Sequence, residues 1–120
     1  MNFIFHYTAG GKIAELCRAS FPINGVEDAV DLLGNADYQG ASKIIIYKED
    51  LSEDFFRLST GIAGEILQKF SNYRKKLAII GDFSNIESKS LRDFIRESNR
   101  TGQILFVRDL DEALKHFKDL

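Results

Sequence analysis

A chain of 120 residues is the size of one domain, and with 44% hydrophobic residues it can bury roughly two-thirds of its unfolded surface without disulfide or metal staples. Its 16 basic and 18 acidic residues are interspersed and leave a formal charge of −2, which supplies no field for holding nucleic acid or an anionic membrane surface. The lone Cys17 cannot form an intramolecular disulfide, no apolar run approaches the roughly 20 residues of a membrane helix, and the opening NFIFHY lacks the basic lead of an export signal, so a cytoplasmic protein is expected.

Phe3, Phe5 and Tyr7 alternate with Ile4 and His6, Ala9-Gly10-Gly11-Lys12 makes a turn, and Ile13 to Cys17 resumes an extended pattern, which predicts a β-hairpin. Arg18 to Ile23, with the only proline at Pro22, reads as a crossing loop. Asn24 is expected to cap a first helix, with Glu27 reaching back in a capping box and Val26, Ala29, Val30 and Leu33 on the inner face. Gly34-Asn35 supplies a stop signal, while Ala36 to Gln39 leaves room for another turn.

Lys43 to Tyr47, Leu77 to Ile80 and Ile104 to Val107 are continuous apolar runs, the pattern of parallel strands covered on both faces. Between the first two lies FFRLSTGIAGEILQKFSNY, in which Phe55, Leu58, Ile62, Ile66, Phe70 and Tyr73 recur every three or four positions and predict one helix with a buried stripe. A glycine inside a helix costs about 1 kcal/mol against alanine, so Gly61 and Gly64 need a reason. Two are available: Gly64 as a point of close backbone approach, and Ser59-Thr60-Gly61 as a helix entry with free N–H groups. Ser90 to Asn99 reads as a further helix with Leu91, Phe94 and Ile95 inward, a Ser90/Asp93 capping box and Gly102 ending it. The last helix opens at Asp109, with Glu112 three residues on, and buries Leu110, Ala113, Leu114 and Phe117. The order β-β-α-β-α-β-α-β-α predicts a single α/β domain over residues 1–120, with a mixed, mostly parallel sheet that begins in an antiparallel hairpin.

Few residues read as chemistry. Ser59 or Thr60 as a helix N-cap is explained by a hydrogen bond worth roughly 1 kcal/mol, and a phosphate at the same spot would meet the positive end of the helix dipole. Glu49, Asp50 and Asp82 follow two core strands, where open α/β sheets place ligands, yet turn and cap roles account for them and no metal-ligand spacing links them. Arg74, Lys75 and Lys76 complement a helix C-terminus, and Tyr38 with Gln39 precede Gly40 without a pattern of their own. His6 and His116 stand in no catalytic spacing with Cys17 or a serine, and neither G-x-G-x-x-G nor a P-loop is present. No catalytic residue, metal or cofactor is therefore assigned, and the expectation is a protein that is not an enzyme.

The stretches YQGASKIII, FFRLSTGIAGEILQKFSNY, LAIIGDFS and SKSLRDFIRESNRTGQILFV resemble a bacterial family, domain of unknown function 4180, over nearly the whole chain. More distantly, the element order and the turn Ser59-Thr60-Gly61-Ile62 are similar to STAS domains, the anti-sigma-factor antagonist fold, which carry a Ser/Thr-Ser/Thr-Gly-Leu-Gly turn at this helix entry. That resemblance implies a phosphorylatable residue at Thr60, although Leu58 stands where antagonists usually carry an acidic residue and Lys48 to Leu58 is a longer connection than theirs. The expected function is a cytoplasmic regulatory or protein-interaction module that presents Ser59, Thr60 and Gly61 with Phe55 and Phe56 to a protein partner, with no nucleic acid or membrane partner and with room for a homo-oligomer. The second reading is a small anionic-ligand or phosphate-binding protein, or an enzyme of that kind, using Thr60, Gly61 and Asp82 in the crevice at the carboxyl ends of the core strands.

Overall fold

The computed structural model describes residues 1–17 and 22–118, so most of the predicted crossing loop, Arg18 to Phe21, lies outside the described residues. The hairpin forms as β1 (Phe3–Thr8) and β2 (Gly11–Leu16), antiparallel with His6 opposite Ile13 and Thr8 opposite Gly11. The three apolar runs become β3 (Ala41–Tyr47), β4 (Lys76–Ile80) and β5 (Ile104–Val107), each parallel to the strand before it. The five strands lie side by side in chain order.

Sequential order has a consequence for the helices. When every parallel strand is added on the same side with the same hand of crossover, each crossover helix lands on the same face of the sheet. α1 (Val26–Tyr38), α3 (Ile62–Asn72) and α4 (Lys89–Thr101) are those crossovers, and their apolar side chains join one cluster with Ala14, Ile44, Ile46, Leu77, Ile79 and Phe106. α5 (Leu110–Lys118) follows the last strand and packs on the other face, where Ala113 and Phe117 meet Ile13, Ile45, Ala78, Leu105 and Val107. One helix cannot span five strands. Its apolar cluster takes in no residue of β1, and on that side Ile4 is 51% exposed.

Several boundaries differ from the expected ones, each for a local reason. The predicted Phe55 to Tyr73 helix is broken: α2 (Glu53–Phe56) is a single turn, Leu58–Thr60 is a 3₁₀ turn, and α3 starts only at Ile62. Gly61 makes the break, with φ +78° in the left-handed region where a glycine is favoured. Gly64 has no atom within 4 Å of where a Cβ would stand, so close approach is not its reason. α1 has Gly25 as its N-cap, and Asp28 rather than Glu27 reaches back, accepting from Asn24 N–H at 2.8 Å. Its buried face is Ala29, Leu32, Leu33 and Ala36, one turn further on than expected, because the helix runs through Gly34-Asn35 to Tyr38. The cap of α4 is Ser88, whose Oγ accepts from Leu91 N–H at 3.2 Å, in place of the Ser90/Asp93 box. The α5 start is as expected: Asp109 accepts from Glu112 N–H and Glu112 accepts from Arg108 N–H.

Candidate functional site

The chain that leaves β3 is turned back by its own backbone. Asp50, 5% exposed, accepts from Tyr47 N–H at 2.8 Å, closing the 3₁₀ turn Lys48–Asp50 and using that carboxylate structurally. Ile23 then pairs with Leu51, donating from Ile23 N–H to the Asp50 carbonyl and accepting from Ser52 N–H, so the segment is fixed before α2 begins. α2 carries Phe55 into the core at 1% exposure and leaves Phe56 half-buried against it, edge-on at 5.0 Å. Phe56 continues to Phe83 and Phe83 to Phe106, an aromatic row joining α2 to β5 under the carboxyl ends of β3 and β4.

Above that row opens a shallow recess of ≈ 450 Å³ lined by Lys48, Glu49, Leu51, Glu53, Phe56 and Asp82. Its floor is apolar and its rim acidic. Lys48 donates from Nζ to the Asp82 carbonyl at 2.9 Å and lies 5.2 Å over the Phe83 ring, so it is engaged with the loop. Asp82 accepts from Ser84 Oγ and Ser84 N–H, and those bonds hold its carboxyl below the usual range. The depressed value means that the Asp82 contribution to stability is present above its ordinary value of 3.8 and is lost as pH falls through the lower folded value. Gly81 is required beneath the rim, because a Cβ there would stand 2.7 Å from Lys48 Cβ. Gly81→Ala should therefore cost about 1 to 3 kcal/mol by urea unfolding, as overpacking does, and displace the Lys48 side of the recess.

The expected switch residues stand beside this recess rather than in it. Ser59, Thr60 and Gly61 are exposed, Phe55 belongs to the core, and Phe56 and Asp82 line the recess. Of Thr60, Gly61 and Asp82, Asp82 alone lines this recess. Neither Ser59 nor Thr60 is the N-cap of α3; that position is Gly61. The Thr60 hydroxyl has a different part: Oγ1 donates toward the carbonyls of Asp54 at 2.8 Å and Arg57 at 2.9 Å, and accepts from Ile62 N–H at 3.3 Å. It staples α2 to the start of α3, and α2 is the turn that supplies Glu53 and Phe56 to the recess. Thr60→Val should lose about 1 kcal/mol in thermal unfolding while Thr60→Ser, which keeps the hydroxyl, should lose little.

Among the described residues no group of three His, Cys, Asp or Glu side chains could hold a metal ion. No described helix is long and apolar enough to cross a membrane. Arg74 to Lys76 are dispersed, since Arg74 takes φ +57°, Lys75 pairs with Asp37 at 2.7 Å and Lys76 enters β4. Tyr38 is 92% exposed, and neither it nor Gln39 lines the recess. A polar row that the sequence reading missed crosses the second sheet face: His6, Glu15 and Tyr47, from three adjacent strands, are joined by hydrogen bonds of 2.8 Å. Its one signal in the sequence is Glu15, a carboxylate inside an apolar strand.

Fold and surface together define a single α/β domain whose crossover helices share one face of a sequentially ordered sheet and whose recesses are open. The described strands show no reversal of order and so form no topological switch point of the kind that places ligands in doubly wound sheets. The chain belongs to the family described as domain of unknown function (DUF4180), whose model matches residues 8–117. No curated protein and no solved structure matches it.

Proposed function

We propose that this domain is a cytoplasmic regulatory protein-interaction module whose contact surface is the recess at the carboxyl ends of β3 and β4, with Thr60 as its control point. The observation that carries the reading is the Thr60 hydroxyl, which holds the turn bearing Glu53 and Phe56. A phosphate on Oγ1 would remove the donated hydrogen and set a dianion against the carbonyls of Asp54 and Arg57, releasing the turn and altering the recess. The resemblance of Ser59-Thr60-Gly61 to the STAS turn supports the same position.

Charge selects the partner. Glu49, Glu53 and Asp82 on the rim and Leu51 with Phe56 on the floor suit a segment that presents lysine or arginine beside an apolar side chain. The same carboxylates oppose an anionic ligand, so the phosphate-binding reading has less support. Glu53 is exposed, and reversing its charge leaves the core untouched. Wild-type protein and Glu53→Lys, immobilised in parallel, should differ in one captured protein, retained by the first and lost by the second with equal melting temperatures. Stronger capture of an anionic small molecule by Glu53→Lys than by wild type, with no protein lost, would turn the reading toward ligand binding.

A further inference from the structure

The part of the second sheet face next to α5 carries a cluster that shares no residue with the recess. Glu15 is 6% exposed, its Oε1 lies 2.8 Å from His6 Nε2, and its Oε2 accepts from Tyr47 OH at 2.8 Å. An isolated carboxylate is costly to bury, and beside Ile13 and Ile45 an apolar side chain would serve a purely structural need. What the carboxylate does is fix the imidazole. With Nε2–H directed to Glu15, the ring's other nitrogen, Nδ1, is left as its remaining polar atom, and His6 lines an open cleft of ≈ 420 Å³.

The opposite wall of the cleft comes from α5, through Asp111, Leu114, Lys115 and Lys118. Lys115 and Lys118 are three residues apart, hence on one side of the helix, and neither has an ion-pair partner among the described residues. Lysines in a last turn complement the helix dipole, but that role does not require a histidine held opposite them. The two ammonium groups are donors, and the imidazole nitrogen opposite them, its ring held by Glu15, accepts, so one cavity offers both to a ligand. Asp111, the one acidic residue among the described lining, disfavours a polyanion and suits a ligand with a hydroxyl or amino donor beside its anionic group.

We propose that the cleft between β1 and α5 binds a small organic anion, carrying a carboxylate or phosphate group beside a hydroxyl or amino donor, through Lys115, Lys118 and the His6 ring held by Glu15 and Tyr47. The test is nuclear magnetic resonance titration of the full chain with malate, with glycerol phosphate and with sodium chloride at matched ionic strength. Saturable shifts are expected at the His6 ring and at the Lys115 and Lys118 amides with one of the two organic anions, and which one saturates identifies the anionic group. Lys115→Ala/Lys118→Ala, a surface change, should weaken that binding about tenfold or more, the loss expected for charge-assisted hydrogen bonds. Glu15→Gln should weaken binding and shift the His6 ring signals before any ligand is added. Shifts that follow ionic strength alone in every arm, or an affinity unchanged in the double lysine variant, would overturn the proposal.

Discussion

Phe70→Ala should lower the unfolding free energy by about 3 to 5 kcal/mol, the range for an aromatic side chain deleted from a filled core. Phe70 is 0% exposed on the inner side of α3 and belongs to the same buried cluster as Leu33, Ile44, Ile66 and Leu77, at the middle of the layer between α1, α3 and the sheet. The cavity left behind is bounded by strand and helix side chains that cannot close over it without shifting the sheet. Urea unfolding should show a lower midpoint with an unchanged slope, since the surface exposed on unfolding is nearly the same. Ile66→Ala, one turn earlier on the same side of α3, should lose about 2 to 5 kcal/mol by the same mechanism. A loss below about 1 kcal/mol for both would contradict the account of α3 as the central crossover.

Phe117→Ala should be of similar size, about 3 to 5 kcal/mol, with a different outcome. Among the described residues α5 is the only helix on its face, and it holds on through Ala113 and Phe117, with Leu110 and Leu114 partly buried. Truncation removes the largest anchor and bares Ile13, Ile45, Leu105 and Val107, so a hydrophobic dye that ignores wild type should bind the variant. The same anchor engages Lys43, a lysine 6% exposed that donates to the Phe117 carbonyl at 3.0 Å. Burial, and then the nearby Lys76, lower the Lys43 pKa from 10.5, so its charged form is disfavoured in the folded state. Its folded value lies below its unfolded one, and stability must therefore rise with pH between the two. Lys43→Met should abolish that alkaline rise in melting temperature, and a rise that persists in the variant would assign it to another group.

The strands were legible because their chemistry is local. Ile44-Ile45-Ile46 can only be covered on both faces, and the alternation of Phe3, Phe5 and Tyr7 can only be half covered. The entry to α3 was legible only as one of two readings, Ser59-Thr60-Gly61 as a helix start, because Phe55 and Leu58 continue the spacing of Ile62, Ile66 and Phe70 across the break at Gly61. Lead-in side chains need only face the same core to extend a helical period, and the positive φ of Gly61 that interrupts it leaves no trace in hydrophobicity. The α4 cap was displaced by two residues because serine recurs at 88 and 90, and only the hydrogen bond to Leu91 chooses between them. The His6, Glu15 and Tyr47 row required the register of three strands. His6 faces Ile13, which makes Glu15 its diagonal neighbour, and Tyr47 reaches the pair only through the parallel β2–β3 pairing. The recess was legible as a place, after β3 and β4, but the burial of Phe55 and the three-way bonding of Thr60 depend on tertiary packing.

The most direct test of the recess as the contact surface is a hydrogen-exchange footprint of the protein that wild type retains and Glu53→Lys loses. Protection is expected at the amides of residues 49–57 and 82–84, weaker for a Thr60→Glu variant than for Thr60→Ser at the same partner concentration. Protection that falls elsewhere, or that is equal for Thr60→Glu and Thr60→Ser, would contradict the account.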